Sequence, residues 1–456
     1  MLSTKIEGIS LILTLDRNRP VIRNGSILVE DGKISAIGPE DALRSVHADL
    51  TVDGRGRLAA PGFVDCHAHL SYGHSMKGLV ESAKSHSEYL RRVFSFQRYM
   101  RPEEEYYTAL LAIAELLRNG CTSLLEPGLV NNVASVVMAV RASGIRAVVG
   151  KSFADAENTN GMHLTETAEA LRQTGNILEK FDGIGGLVTA WVMPFSPDCC
   201  TDEFLLSAAE LARRQGTGIT THCGMRTEDA NSRSEGDGRG QIARLHRIGI
   251  LGRKTLLAHP LFVDDREMEM IASTGTGAVF CPSSSARSHG PGAFRAVPEM
   301  LRRGITVGLG SDSASSSRHL DMTRSMHLLS LLCTGTGDGA SHLLPDRLLE
   351  MGTLSGARAL GIGHQTGSLS IGKSADIVIF NTKTSQWRAL FNPFANLMDS
   401  ADGRSIERVM VEGRTVVEDG HLTAIDEETL CDRVQEIGEN VAGRLGVSPD
   451  GVWPEW

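Results

Sequence analysis

The stretch PGFVDCHAHL, Pro61 to Leu70, opens on a Pro-Gly turn, runs through the apolar pair Phe63-Val64 and ends in Asp65-Cys66-His67-Ala68-His69. Side chains alternate faces along a strand, so His67 and His69, two apart, point the same way. Two imidazoles on one face at a strand end are a ready pair of ligands for a divalent metal. A His-x-His standing alone is more often core packing. Its weight depends on whether later apolar strands also end in polar groups.

They do. Short apolar runs recur behind glycine-rich leads: Cys121 to Glu126, Ile145 to Gly150, Leu187 to Met193, Ile219 to His222, Thr255 to His259, Ala278 to Cys281 and Ile305 to Gly310. Between them lie stretches with apolar residues at helical spacing, such as Glu103 to Arg118 and Asp202 to Gln215. With the run ending at His69 these make eight strand-helix units over about 300 residues, which predicts an α/β fold, a (β/α)8 TIM-like barrel. A doubly wound sheet is the alternative architecture. Upstream, Gly8 to Leu15, Gly25 to Glu30 and Lys33 to Ile37 read as strands around an Asp31-Gly32 turn. Downstream, GSLSIGKSADIVIFN (Gly367 to Asn381) and the hairpin Arg408 to Val417 read the same way. Strands from both termini are expected to combine in one small β-sandwich domain. The resulting plan is sandwich over 1–58, barrel over 59–366, sandwich again over 367–425, then a terminal helix and tail over 426–456.

Composition removes several function classes. A net charge of −9 without a basic stripe argues against nucleic acid as a partner. The eight cysteines are scattered singly except Cys199-Cys200, as expected of reduced thiols in a cytoplasmic protein. No apolar run approaches the roughly 18 residues of a membrane span, and the opening MLSTKIEGISLILTLDR reads as a strand rather than a signal peptide. Neither a membrane nor a nucleic acid is expected as a partner; a small-molecule substrate is.

In such a barrel the reactive groups belong at the C-terminal strand ends. Taken in order these carry His67 and His69, Glu126, Lys151 just beyond the third strand, then His222, His259 and Asp312. His67, His69 and His222 can offer neutral nitrogens, and Asp312 a carboxylate oxygen, to one divalent ion with a position left for water. Zinc is the first expectation; iron, manganese or cobalt suits the same donors. Such an ion brings the pKa of water from above 15 to about 7. Asp312 would take the water's proton and pass it to a leaving nitrogen, and His259 would hydrogen-bond the developing oxyanion. Cys66 and Cys223 each neighbour a candidate ligand but face the other way along the strand, so a thiolate site is not expected. His74, His86, His246, His289, His319 and His364 fall in loops or helices and read as surface or packing. Lys151 reads as structural, and Glu126 as either pocket floor or the neutraliser of a neighbour.

PGFVDCHAHL, Ile219 to His222, LLAHP, GLGSD and the closing GSLSIGKSADIVI together resemble the amidohydrolase superfamily. The resemblance spans nearly the whole chain, and is to the branch of adenosylhomocysteine deaminase, guanine deaminase and the triazine hydrolases. It implies a metal-dependent hydrolase on a distorted barrel, and homo-oligomers. Two departures stand out. The glutamate that in this branch follows the strand-five histidine by three residues is Met225 here. The histidine of its strand-four Pro-His-Ala-Pro is Phe195, within Pro194-Phe195-Ser196-Pro197. Strand four also lacks the lysine that bridges two metals in other branches, which implies a mononuclear site. Ser317-Arg318 stands where two asparagines are common. Glu228 or Asp229, further along the loop, are candidates to replace the glutamate.

Phe195, Met225 and Trp191 are the expected substrate contacts, and an apolar pair in place of polar ones favours a rather apolar substrate. The leading expectation is therefore hydrolysis of an amide-type C–N bond, in an amide, urea or carbamate such as a xenobiotic aryl urea. The alternatives are a deaminase or dechlorinase of a purine, pyrimidine or triazine ring, and a non-catalytic metal-binding relative.

Overall fold

The computed structural model describes residues 2–16, 18, 21–79, 85–158, 160–225, 240–334 and 343–448. The architecture is mixed α/β. The first strands are β1 (Thr4–Leu13), β2 (Val21–Glu30), β3 (Lys33–Pro39), β4 (Leu50–Asp53) and β5 (Arg57–Pro61). β1 begins four residues ahead of the expected Gly8 because it has partners on both edges. Thr4 to Ile6 pair with Val29 to Ile27 of β2 on one side and with Leu50 to Val52 of β4 on the other. Gly8 itself, at φ +66°, lies in the bulge where the β1–β2 register shifts.

The parallel strands follow: β6 (Phe63–Asp65), β7 (Ala68–His69), β8 (Cys121–Leu125), β9 (Arg146–Val149), β10 (Ser152–Phe153), β11 (Val188–Ala190), β12 (Met193–Pro194), β13 (Ile219–His222), β14 (Thr255–Ala258), β15 (Gly277–Phe280), β16 (Val307–Leu309) and β17 (Asp312–Ser313). Among the described residues they form two four-stranded parallel sheets, β6-β8-β9-β11 and β13-β14-β15-β16, and two parallel pairs, β10-β12 and β7-β17. On one flank Val192 bridges in parallel to Ile219. On the other, the Cys66 N–H donates to the Leu309 carbonyl at 2.8 Å.

The first and last expected strands are each broken in two, and the break places the site. Beyond it the short extensions β7 and β17 pair with each other, setting Asp312 opposite Ala68 and Ser313 opposite His69. Two glycines of GLGSD make room for that approach. A Cβ on Gly308 would sit 2.6 Å from Cys66 Sγ, and one on Gly310 2.7 Å from His67 Cβ.

The closing strands are β18 (Ile377–Asn381), β19 (Ile406–Val411), β20 (Arg414–Glu418) and β21 (His421–Leu422). Among the described residues they join the N-terminal strands in one nine-stranded sheet, ordered β21-β20-β19-β18-β5-β1-β2-β3 with β4 beside β1. β5 is the junction, parallel to β1 and antiparallel to β18. The sheet is continuous in its hydrogen bonding. Its apolar face, with Ile6, Ile12, Ile27 and Ile34 against Ile377 and Ile379, forms its own core, and Lys33 of β3 bridges to Ser374 just ahead of β18.

Helices Pro102–Arg118 and Asp202–Gln215 lie within a residue of their expected limits. A further helix, His86–Arg98, was not foreseen. Ser85 caps it by accepting the Glu88 N–H at 3.1 Å. Leu90, Val93 and Phe94 of this helix pack in one cluster with Phe195 on one hand and with Ile437 and Val441 of the C-terminal helix Glu427–Leu445 on the other.

Candidate active site

His67, His69 and His222 are buried, and one ligand atom from each lies within 4.8 Å of the others. The rings of His69 and His222 are parallel, 5.8 Å apart, with His67 edge-on at 4.9 Å to both. His222 closes β13. Its backbone N–H and its Nδ1–H both donate to the Phe195 carbonyl, at 3.0 and 2.9 Å. A carbonyl can only accept, so this bond fixes the tautomer and leaves Nε2 with its lone pair. Neither ring nitrogen of His67 has a hydrogen-bond partner, nor does His69 Nδ1. Buried polar atoms left so are costly. A divalent cation is the group that three converging, buried imidazoles fit.

Asp312 and His259 complete the cluster. His69 Nε2 lies 3.5 Å from Asp312 Oδ1, and His259 Nε2 lies 4.0 Å from Asp312 Oδ2. Both residues hold left-handed backbone, at φ +67° for Asp312 and +58° for His259. Such strain in non-glycine residues persists only where the surroundings impose it. Here the Asp312 N–H donates to the His67 carbonyl at 2.8 Å, and the His259 N–H to the Val279 carbonyl at 2.9 Å.

The electrostatics suit ligation. Burial, helped by the neighbouring imidazoles, holds His67 well below its ordinary value and lowers His222 to about 3. Burial lowers His259 to about 4. Burial alone would raise Asp312, but the flanking His259 and His69 outweigh it and keep its carboxylate below the usual range. Glu126 is fully buried and takes the N–H groups of Leu70, Gly128 and Leu129 at 2.6, 3.0 and 3.2 Å. It fixes the backbone that follows His69. Lys151 donates to the Asn131 carbonyl at 3.0 Å and does not line the site.

A cavity of about 580 Å³ opens over the cluster, with His69, His222, His259 and Asp312 at its base. Phe195 and Met225 line it, and the Phe195 ring lies 5.1 Å from that of His222. Trp191 does not, which corrects the expectation for it. The strand breaks between Ala190 and Met193, and Trp191 turns into an apolar cluster with Val64, Leu125 and Leu256. There it packs against Gly218, where a Cβ would come within 2.3 Å of its ring.

Two histidines read as surface or packing, His86 and His289, also line the cavity. Tyr72, Tyr89, Asp198, Gln241, Ser284 and Arg287 line it as well, and no strand-end pattern pointed to them. Most come from loops and helices brought in by tertiary structure. For Tyr89 a local signal existed: Ser85 followed three residues later by Glu88 is a helix start. Tyr89 Oη and Ser315 Oγ are 2.8 Å apart, and Ser315 Oγ is 2.9 Å from Ser313 Oγ. The wall is thus more polar than an apolar substrate requires. Glu228 and Asp229 lie outside the described residues. No helix among the described residues is long and apolar enough to cross a membrane.

Comparison with known proteins agrees with this geometry. The amidohydrolase family model matches residues 58–416. A 5'-deoxyadenosine deaminase of Methanothermobacter thermautotrophicus is 30% identical over 425 residues, covering 93% of this chain and 95% of the other. A 5-methylthioadenosine/S-adenosylhomocysteine deaminase of Syntrophobacter fumaroxidans is 27% identical, covering 94% and 97%. Among solved structures, a zinc-bound adenosine deaminase from Xanthomonas campestris superposes with a TM-score of 0.88 at 22% identity, covering 96% of this chain and 98% of that one. Zinc-complexed atrazine chlorohydrolase from Arthrobacter aurescens superposes at 0.85 with 21% identity, covering 95% and 100%. The chain belongs to the amidohydrolase family and is a metal-dependent hydrolase acting on carbon–nitrogen bonds.

Proposed function

We propose that this enzyme hydrolyses the exocyclic C–N bond of an aminated heteroaromatic ring, of the purine, pyrimidine or triazine kind, releasing ammonia. The observation that carries this reading is the polar wall facing the ligand cluster. Asn160, Gln241, Ser284, Ser285 and Arg287 offer the hydrogen bonds that ring nitrogens and polar substituents need. The near-full-length relatives named above, deaminases of adenosine-type compounds by name, support it. The apolar aryl urea is accordingly not the leading substrate.

In this reading His67, His69, His222 and Asp312 hold one divalent ion, zinc first, as in the superposed zinc-bound structures. When bound, the ion supplies Lewis acidity, lowering the pKa of water to about 7. Asp312, kept ionised by its neighbours, accepts a proton at Oδ2 and returns it to the leaving nitrogen. His259 donates from Nε2–H to the oxygen that gains charge. Phe195 and Met225 present apolar surface to the ring. The same reading takes the parallel strands as one closed (β/α)8 barrel over 59–366 and the terminal sheet as a β-sandwich from 1–58 and 367–425.

A second reading, hydrolysis of an amide, urea or carbamate, is favoured by one pair of residues. Met225 and Phe195 line the cavity at the positions where the resembled branch has a glutamate and a histidine, and neither can move a proton. A screen of metal-loaded protein against aminopurines, aminopyrimidines, aminotriazines, amides, ureas and carbamates separates the two. Ammonia from the ring substrates alone is the expected result. An alkyl or aryl amine from ureas or amides, with the rings untouched, overturns it.

A further inference from the structure

Two trios of donor atoms share one histidine beneath this cavity. The first is His67, His69 and His222. The second is His67, His259 and Cys281, whose ligand atoms also all lie within 4.8 Å of one another. We propose that the second trio is a thiol-bearing metal position, exclusive of the first, which takes thiophilic divalent cations such as cadmium or excess zinc. The inference concerns the metal chemistry of the floor and stands apart from which C–N bond is hydrolysed.

Cys281 follows β15 directly, and the chain's own glycine lets its thiol meet the imidazole. A Cβ on Gly310 would lie 2.7 Å from His67 Cβ and 2.9 Å from Cys281 Sγ. Both ring nitrogens of His67 and Nδ1 of His259 are buried without a hydrogen-bond partner, so both histidines of the trio carry nitrogens that the protein leaves unanswered. A tetrahedral ion with bonds of about 2.1 Å to nitrogen and 2.3 Å to sulfur holds its ligand atoms about 3.5 Å apart. Both trios, with ligand atoms no more than 4.8 Å apart, lie within a small side-chain adjustment of that spacing.

Donor softness separates them. The thiol trio suits zinc and cadmium, while the imidazole-carboxylate set also suits manganese and iron. Exclusivity follows from His67, because a neutral imidazole offers one lone pair and serves one ion at a time. Binding at the second position releases the Cys281 proton to solvent. Of the second trio His67 and Cys281 are fully buried and do not line the cavity, and only His259 does, whereas His69, His222 and Asp312 of the first set all line it. An ion held there is withdrawn from the substrate side, so thiophilic metal inhibits.

The test is titration of the metal-loaded enzyme with cadmium chloride, followed by near-ultraviolet absorption and by analysis of metal bound and released. Every sample carries C431S, since Cys431 is the exposed thiol among the described residues. A sulfur-to-cadmium charge-transfer band is expected to grow to one equivalent per chain as the resident ion is released. The band should vanish in both C281S and C281A and persist in C223S, a substitution at another cysteine beside the cavity. Absence of the band in the parent protein, or its survival in the Cys281 variants, overturns the proposal. The readout needs no substrate, so either outcome leaves the ammonia-release screen to decide the function by itself.

Discussion

His259 and Asp312 stand 4.0 Å apart on the cavity floor, and in the proposed function the imidazole donates rather than carries charge. Burial lowers it to about 4, so near neutrality the ring is uncharged. H259Q should reduce kcat by about 10²–10³, the usual effect of losing one oxyanion donor, with metal content unchanged in the same sample. Loss of the ion together with the activity would make His259 a ligand instead. His319 carries a different prediction. Burial, with Arg324 adding to it, lowers this imidazole from 6.5 to about 4, and its Nδ1 has no hydrogen-bond partner. Above pH 6.5 the ring is neutral in both folded and unfolded chains and has no effect. Between 6.5 and 4 mainly the unfolded chain takes the proton, so stability falls with acidification. At pH 5 the loss comes to about 2 kcal/mol. Urea denaturation at pH 7 and pH 5 should show H319Q losing less on acidification than the parent by about that amount. His67, His69, His222 and Asp312 were legible as candidates because each ends an apolar run, and strand ends are where a barrel exposes its side chains. Trp191 was named as a substrate contact, but the strand breaks after Ala190 and the ring turns into the apolar cluster instead, a break that the sequence did not reveal. His86 and His289 were missed because only tertiary structure carries them to the cavity.

Among the elements, the short pair β7–β17 does the most to assemble the site, since it sets Asp312 beside the two histidines. In sequence β7 reads only as the tail of the first strand, and β17 is not visible as a strand. What could be read was the glycine pattern of GLGSD, whose packing reason is the close approach to Cys66 and His67. Helix His86–Arg98 covers the cavity from outside the parallel strands, and Tyr89 ties it to the segment after β17 through Ser315. Y89F removes this hydrogen bond while keeping the ring. The net value of such a bond, about 1 kcal/mol, corresponds to roughly a fivefold rise in KM if the wall it steadies binds substrate. Metal content and kcat should hold. An unchanged KM with a lowered melting temperature would make the contact purely structural.

For the whole molecule the question is what ties the nine-stranded terminal sheet to the parallel strands. The tie runs through Arg146, the first residue of β9. Its guanidinium pairs with Asp376, just ahead of β18, and also reaches Ser374 at 3.2 Å and Glu412 at 2.9 Å. On the parallel-strand side it bonds Ser123 of β8 at 3.1 Å. Asp376 is saturated in turn, accepting from Thr366, Ser374 and the Glu412 N–H. Its place in GKSADIVI marked a strand start, but no sequence feature named a partner 230 residues away. Both side chains are almost fully buried, so removing Arg146 leaves the Asp376 carboxylate with no water and no counterion. R146M should therefore cost about 3–5 kcal/mol in urea unfolding. R146M/D376N should cost less than the two single changes summed, because the second change removes the stranded charge. Simple additivity would mean that the sheet is held by its apolar contacts alone, with the buried pair contributing no coupling of its own.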